Sequence, residues 1–372
     1  MEAAWIATTV LGALMWLVIL VLPWKPWLTD ERIEAKPDAR PDLTEVTVLI
    51  PARNEADTIA GTLRALEMQG VGIRVVVVDD QSGDGTARAA LESGVENLEV
   101  VSGASLPYGW AGKMWALEQG RGRVRTRLCL LLDADIELAP GILAAMLEKK
   151  RREGLKFVSL MATPRMDGFW DRLLMPAFVY FFKLLYPFAV SNTPSGWVAA
   201  AAGGCILVDT EVLGRIGGFT SLKDALIDDC TLARRVKAAG ARTYIGLSRD
   251  VRMTRPYGGL AGIWRMVARS AYTQLRYSQL LLGLCLAMLM LCFAVPVAGL
   301  IMGPWPARLV SAAGLWAMVT AYRPTLEFYG LRWQWGLAMP VIGMLYLGMV
   351  LTSAWNYHRG RKSRWKGRTY RV

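Results

Sequence analysis

Histidine is almost absent from the chain. The single one, His358, sits beside a basic tail. That excludes a histidine-rich zinc centre and any mechanism built on a buried histidine base. Cysteine is sparse too. Cys129, Cys205, Cys230, Cys285 and Cys292 form no CxxC pair, and two of them lie in apolar runs. The pattern fits reduced packing thiols, not a disulfide framework or a zinc ribbon. Acid is short relative to base: 31 Asp and Glu face 43 Lys and Arg, a net charge of +12. Residues 356–372 hold no acid at all, yet carry Arg359, Arg361, Lys362, Arg364, Lys366, Arg368 and Arg371. A basic run beside an apolar segment reads as a contact with anionic lipid headgroups. No nucleic-acid motif accompanies it, so no nucleic-acid partner is expected.

Apolar sequence is abundant. Hydrophobic residues make up 53 % of 372 and charged ones 20 %. Disorder is excluded, and a water-facing domain with membrane segments attached is expected. Residues 3–24 are uncharged and long enough to cross a bilayer. Only Met1 and Glu2 precede them, so 1–24 reads as a retained anchor and not as a cleaved leader. Lys25, Arg32, Lys36 and Arg40 follow, which places that side in the cytoplasm. Residues 25–43, with Pro37 and Pro41, read as a linker.

The chain returns to apolar sequence over 278–355. Leu280–Gly303 and Trp335–Trp355 can span. Leu309–Tyr322, 14 residues between Arg308 and Arg323, is expected to be re-entrant, which brings the tail of 356–372 back to the cytoplasm. Residues 169–190 are aromatic but interrupted by Arg172 and Lys183, and are expected to form an interfacial helix pair. Residues 256–277 are expected to form a basic amphipathic helix, with Arg265, Arg269 and Arg276 on one face.

Between these lies an α/β domain, 44–255. VTVLIP (46–51), IRVVVVDD (73–80), LEVV (98–101), LCLLLDAD (128–135) and FVSLMA (157–162) read as buried strands alternating with helices. Continuous apolar strands of this kind predict a parallel sheet covered on both faces, with ligands at the strands' carboxyl ends. Acidic groups follow the strands: Asn54-Glu55, Asp79-Asp80, and Asp133 with Asp135. That many carboxylates on one edge need a cation or donors between them. Asp133-Ala134-Asp135 offers oxygen ligands suited to Mg²⁺ or Mn²⁺ shared with phosphates. Lys113 opens a helix where backbone N–H groups also meet phosphate, although the spacing is not that of a Walker A loop. Asp228 and Asp229 begin the helix TLARRVKAAG, either as favourable charges at its N-terminus or as a general base.

In order, PARNEA, VVDDQSGDGT, GKMWALEQG, DAD, GGCILV, GGF and DDCTLARRVKAAG span about 190 residues. Together they resemble a membrane-bound family 2 glycosyltransferase of the GT-A fold. LPYGWAGKMWA, ALIDDCTLARRVK, RMVARSAYTQLRYS and WKGRTY look more like the hopanoid-biosynthesis-associated members, over nearly the whole chain. Ceramide glucosyltransferases are a more distant match.

The resemblance implies a GT-A domain with a mostly parallel sheet between N- and C-terminal transmembrane helices. It implies a metal-dependent, inverting transfer from a nucleotide sugar, a UDP-sugar by preference, to a membrane lipid at the cytoplasmic face of the inner membrane. Pro51, Asn54, Glu55, Asp79, Asp80, Lys113, Asp133 and Gly204 would bind the nucleotide sugar. Asp133 and Asp135 would bind the metal, and Asp229 beside Asp228 would be the catalytic base. Arg276 and Tyr277 would lie on the diphosphate or acceptor side. There Thr273-Gln274-Leu275-Arg276-Tyr277 departs from the Gln-x-x-Arg-Trp pattern of processive synthases. The alternatives are a polyprenyl-phosphate or ceramide-type lipid glycosyltransferase, and a non-catalytic membrane scaffold that keeps the fold.

Overall fold

Unbroken apolar sequence after Glu2 forms the helix α1 (Glu2–Val21) in the computed structural model, which describes residues 2–223, 228–360, 364–365 and 368–369. An α/β series follows: β1 (Val46–Ala52), α2 (Ile59–Glu67), β2 (Arg74–Asp79), α3 (Thr86–Leu91), β3 (Leu98–Ser102), α4 (Gly112–Arg121), β4 (Leu128–Leu132), β5 (Ile136–Leu138), α5 (Ile142–Arg152) and β6 (Phe157–Thr163). Then come α6 (Phe169–Leu185), α7 (Phe188–Ser191), β7 (Cys205–Asp209), α8 (Thr210–Arg215), α9 (Asp228–Ala238) and β8 (Thr243–Met253). The chain continues with α10 (Gly259–Gln274), α11 (Gln279–Leu289), α12 (Val295–Met302), α13 (Trp305–Phe328) and α14 (Met339–His358). Contacts divide these into two units. Residues 2–30, 166–189 and 257–360 form a helical one, and 31–165, 190–223 and 228–256 an α/β one.

The α/β unit carries an eight-stranded sheet in the order β3-β2-β1-β4-β7-β6-β8-β5. The strands β3, β2, β1 and β4 run parallel. The sheet is mixed beyond them. β7 is antiparallel to both β4 and β6, and the short β5 is antiparallel to β8. The expected fourth strand of 128–135 stops at Leu132, and the Asp133–Asp135 segment turns the chain into β5. Every residue of β1, β4 and β7 is buried, which is why their sequences show no alternation. All five cysteines are free thiols; burial pushes Cys129 and Cys205 up to about 12, so they pack and do not react.

Three helical stretches in the other unit are long and apolar enough to cross a membrane: Glu2–Val21, Gln279–Met302 and Trp333–His358. The second is α11 and α12 joined by a π-helical turn, Met290–Ala294. Pro296 has no N–H to offer the Cys292 carbonyl four residues back, and the Trp16 indole of α1 donates to that carbonyl instead, at 2.9 Å.

The middle run lies inside α13, one continuous helix of 24 residues. Its buried residues include a run of small ones at helical spacing, Ala307, Ser311, Gly314, Ala317 and Ala321, beside larger ones such as Met318 and Tyr322. Against it, a Cβ on Gly314 would lie 3.0 Å from Ala13 of α1, so the two backbones approach closely.

The α6 helix also joins this bundle: Tyr180 packs on Tyr322 and Phe181 on Tyr346, with ring centroids 5.3 and 4.9 Å apart. The expected single basic face over 256–277 is broken. α10 ends at Gln274, and Arg276 and Tyr277 take left-handed φ of 51° and 57°. Arg265 and Arg269 share an exposed face, whereas Arg276 is out of helical phase with them. Of the seven Arg and Lys side chains of the basic tail, Arg359 alone is among the described residues, stacked over Trp355 at 4.3 Å; the side chains of 361–372 lie outside them.

Candidate active site

The first two strand ends are laced together through their loops. Asn54 adopts a left-handed φ of 53°, which asparagine tolerates. Its N–H donates to Ser82 Oγ and its Oδ1 accepts from Gly83 N–H, both at 3.0 Å. Glu55 N–H donates to Thr86 Oγ1 at 2.8 Å, and Ala56 N–H to Asp84 Oδ2 at 3.0 Å. Gly85, not Asp84, takes the N-cap position of α3, but Asp84 Oδ1 still accepts the Thr86 amide at 3.1 Å. Asp79, half-buried at the end of β2, accepts from Ser82 N–H at 3.2 Å. Asp80 is completely buried, with its Oδ2 4.0 Å from Arg53 Nη1. Arg53 Nη1 donates to the main-chain carbonyls of Asp80 and Gln81, which holds this loop against Arg53.

One helix ties several loops to this edge. Lys113, at the start of α4, pairs with Asp133 Oδ1 at 2.6 Å. Trp115 Nε1 donates to Ala104 O at 3.1 Å, and Gln119 Oε1 accepts from Ala104 N–H at 2.7 Å. Glu118 Oε2 accepts from Phe219 N–H at 2.8 Å, fixing the Gly217-Gly218-Phe219 turn. A Cβ on Gly120 would lie 2.2 Å from Leu49, so glycine is what lets this helix lie on the sheet. The motif GKMWALEQG thus combines one half-exposed cation with residues that anchor loops.

The antiparallel direction of β7 brings its amino end to the same edge. Leu132 pairs with Cys205, and Asp133 N–H donates to Gly204 O at 3.0 Å. Gly203 N–H donates to Asp229 Oδ2 at 3.1 Å, while Cys230 N–H donates to Asp229 Oδ1 at 2.7 Å. Pro51, Lys113, Asp133, Gly203, Phe219 and Asp229 all line one cleft, which holds about 340 Å³ counted with its open mouth. Glu55, Asp79, Asp80 and Asp135 stand behind or beside this lining. The Asp228 side chain lies outside the described residues. Arg276 and Tyr277 belong to the helical unit, where Tyr277 stacks on Tyr357 at 4.4 Å and 20°.

Burial, and after it the charge of Asp133, pushes the Asp135 carboxyl up to about 6, against the opposing pull of Lys113. Burial is the larger cause, so a cation that reaches this carboxylate favours its ionised form. Two carboxylates on one turn, with phosphates completing the shell, form a donor set suited to a hard divalent cation. Among the described residues no three His, Cys, Asp or Glu side chains converge as a metal cluster, so the ligand itself would have to complete the shell.

Residues 47–217 match the profile of glycosyl transferase family 2. The match covers most of the α/β unit and a little under half of the chain. The fold is GT-A: the mannosyltransferase of Pyrobaculum calidifontis, solved with GDP-mannose and Mn²⁺, superposes over 97 % of both chains with a TM-score of 0.54 at 20 % identity. Curated relatives include 4,4'-diaponeurosporenoate glycosyltransferases. That of Staphylococcus haemolyticus is 33 % identical over 93 residues, 25 % of this chain and 24 % of the relative. That of Staphylococcus aureus is 37 % identical over 91 residues, 24 % of each. The chain thus spans about a quarter of the length of the curated relatives it matches.

Three more residues belong to this edge. Gly203 lines the cleft, and Glu118 holds the turn at Phe219. Arg255 joins Glu55 and Asp135, with its Nε 3.3 Å from Asp135 Oδ2. The one sequence signal for it was a lone basic residue just past the end of β8 and ahead of Pro256.

Proposed function

We propose that this α/β domain transfers a sugar, with inversion, from a nucleotide-diphosphate sugar to the hydroxyl of a membrane lipid. The observation that carries the reading is Asp229: its carboxylate, held by two backbone amides, lines the same cleft as the Lys113–Asp133 pair. The Asp229 carboxylate takes the acceptor hydroxyl's proton as the hydroxyl oxygen attacks the anomeric carbon. Lys113 binds the diphosphate and orients the leaving group within the cleft. Asp133 and Asp135 would hold Mg²⁺ or Mn²⁺, which when bound supplies positive charge to the departing diphosphate. Pro51, Asn54, Glu55, Asp79, Asp80 and Gly204 shape the nucleoside side. Asn54 and Asp80 do so by fixing loops, Asp79 by its half-exposed carboxylate at the end of β2. For Arg276 and Tyr277 the diphosphate or acceptor side rests on the sequence resemblance alone.

A lipid acceptor is supported by the three helical stretches able to cross a membrane and by the relatives named for diaponeurosporenoate. The hopanoid class is favoured by the motifs LPYGWAGKMWA and WKGRTY. The basic flank of α1 supports a multi-pass protein of the inner membrane with the domain in the cytoplasm. The test is nucleotide-sugar turnover by the purified chain in detergent, with mass spectrometry of membrane lipids from cells with and without the gene. A new glycolipid that appears only with the gene is expected. Donor turnover equal to that of Asp229→Asn would overturn the reading.

A further inference from the structure

We propose that Arg255 is a resident counter-ion of the acidic edge, one that a divalent cation must displace and that an arriving diphosphate draws away. The proposal rests on the nucleotide-sugar reading above. The Arg255 guanidinium bridges two loops. Its Nη2 meets Glu55 Oε2, beyond β1, and its Nε lies 3.3 Å from Asp135 Oδ2, beyond β4. Both carboxylates are well sheltered, with side-chain exposures of 7 % for Glu55 and 18 % for Asp135.

The backbone beside Arg255 is fixed, because Thr254 donates its N–H and its Oγ1–H to Asp135 O at 2.9 and 3.0 Å. The side chain itself is 40 % exposed and has a solvent path along which to swing. Lys113 serves Asp133 and Arg255 serves Asp135, so the two carboxylates of the Asp133–Asp135 turn are matched by the protein's own cations.

A metal ion alone must compete with those cations for sheltered oxygens. A diphosphate changes the balance, because the planar guanidinium fork pairs with phosphate oxygens in two-armed geometry. Arg255 then has a new anionic partner, and Asp135 is released to the metal. The consequence is order: the cation enters with the nucleotide and not ahead of it.

Mn²⁺ binding to the full chain in detergent, followed by the electron paramagnetic resonance signal of the free ion, tests this. The wild type is expected to bind Mn²⁺ alone poorly and to bind it more tightly with UDP or GDP present. Arg255→Gln should bind Mn²⁺ alone on the order of tenfold more tightly, the scale of a lost charge-assisted contact, and gain less from nucleotide. Unchanged or weaker binding of Mn²⁺ alone by Arg255→Gln overturns the proposal.

Asp135→Asn separates this failure from that of the function. If Asp135→Asn loses nucleotide-dependent Mn²⁺ binding while Arg255→Gln changes nothing, the counter-ion role falls and the site reading stands. If Asp135→Asn binds Mn²⁺ as the wild type does, both fall. Should Arg255→Gln not fold, Arg255→Lys keeps the charge without the fork. It should shift Mn²⁺ binding in the same direction by less, and no shift would count against the proposal.

Discussion

The Gly203 amide donates to Asp229 Oδ2 at 3.1 Å, so the residue pair that opens β7 orients the carboxylate that opens α9. With the Cys230 amide on Oδ1, this fixes the rotation of a side chain that would otherwise turn freely at a helix start. Asp229→Asn preserves the shape but cannot accept a proton at the same oxygen. Transfer should fall about 10²–10⁴-fold, the range of general base catalysis, while nucleotide affinity measured by calorimetry stays near that of the wild type. Near-normal turnover would remove Asp229 from this role.

Gly203 has a second duty that depends on size. A Cβ there would sit 3.4 Å from Lys113 Nζ and 3.5 Å from Asp229 Cβ, ordinary contact distances. Gly203→Ala should therefore fold and melt like the wild type. Gly203→Val adds two methyl groups with no room between the cation and the carboxylate. Turnover should drop by about 10²-fold, as small misplacements at reacting groups do, with little change in melting temperature. An active Gly203→Val enzyme would mean that the two charged groups act independently of their spacing.

Asp135 predicts a pH dependence. Its folded-state value of about 6 stands above the usual 3.8, so the folded chain holds this proton more tightly than the unfolded chain. The associated stability is present below about pH 4 and is lost as pH rises through 6. Asp135→Asn, which never ionises, should thus gain on the wild type as pH rises from 4.5 to 7.5 in chelator, by at most about 3 kcal/mol. Thermal melts at the two pH values check this. A stability difference that stays constant with pH would show that Asp135 ionises at no cost.

The parallel half of the sheet was legible in the sequence because β1, β2 and β4 are built on apolar runs and each ends in a polar loop. β7 was not legible as an antiparallel strand, since CILVD is equally apolar whichever way it runs. Its direction decides that Gly203, and not Asp209, reaches the cleft. Asp79 and Asp80 looked equivalent in VVDDQ, yet the alternation of a strand buries Asp80 completely. Arg255 is 200 residues from Glu55, and no local pattern carries a contact of that separation. The extent of α13 was missed because Arg308 and Arg323 seemed to bound the apolar run; the helix continues past both, from Trp305 to Phe328.

Small residues carry the last prediction, in the helical unit. A Cβ on Gly343 of α14 would fall 2.1 to 2.5 Å from the Phe293 ring, so one of the two must move. Phe293 has little freedom to do so. It is 3 % exposed, packs edge-on against Trp16 with centroids 5.5 Å apart, and meets Phe181 at 5.9 Å. Gly343→Ala should therefore overpack this core and cost about 1–3 kcal/mol, seen as a lower melting temperature in detergent. Gly283→Ala is the control: it lies in α11 with nothing within 4 Å of the added carbon. There alanine should be neutral, or stabilising by about 0.5–1 kcal/mol through its better helix propensity. If both variants melt alike, the Phe293 ring yields, and the bundle is not held by the close approach of α14 to that ring.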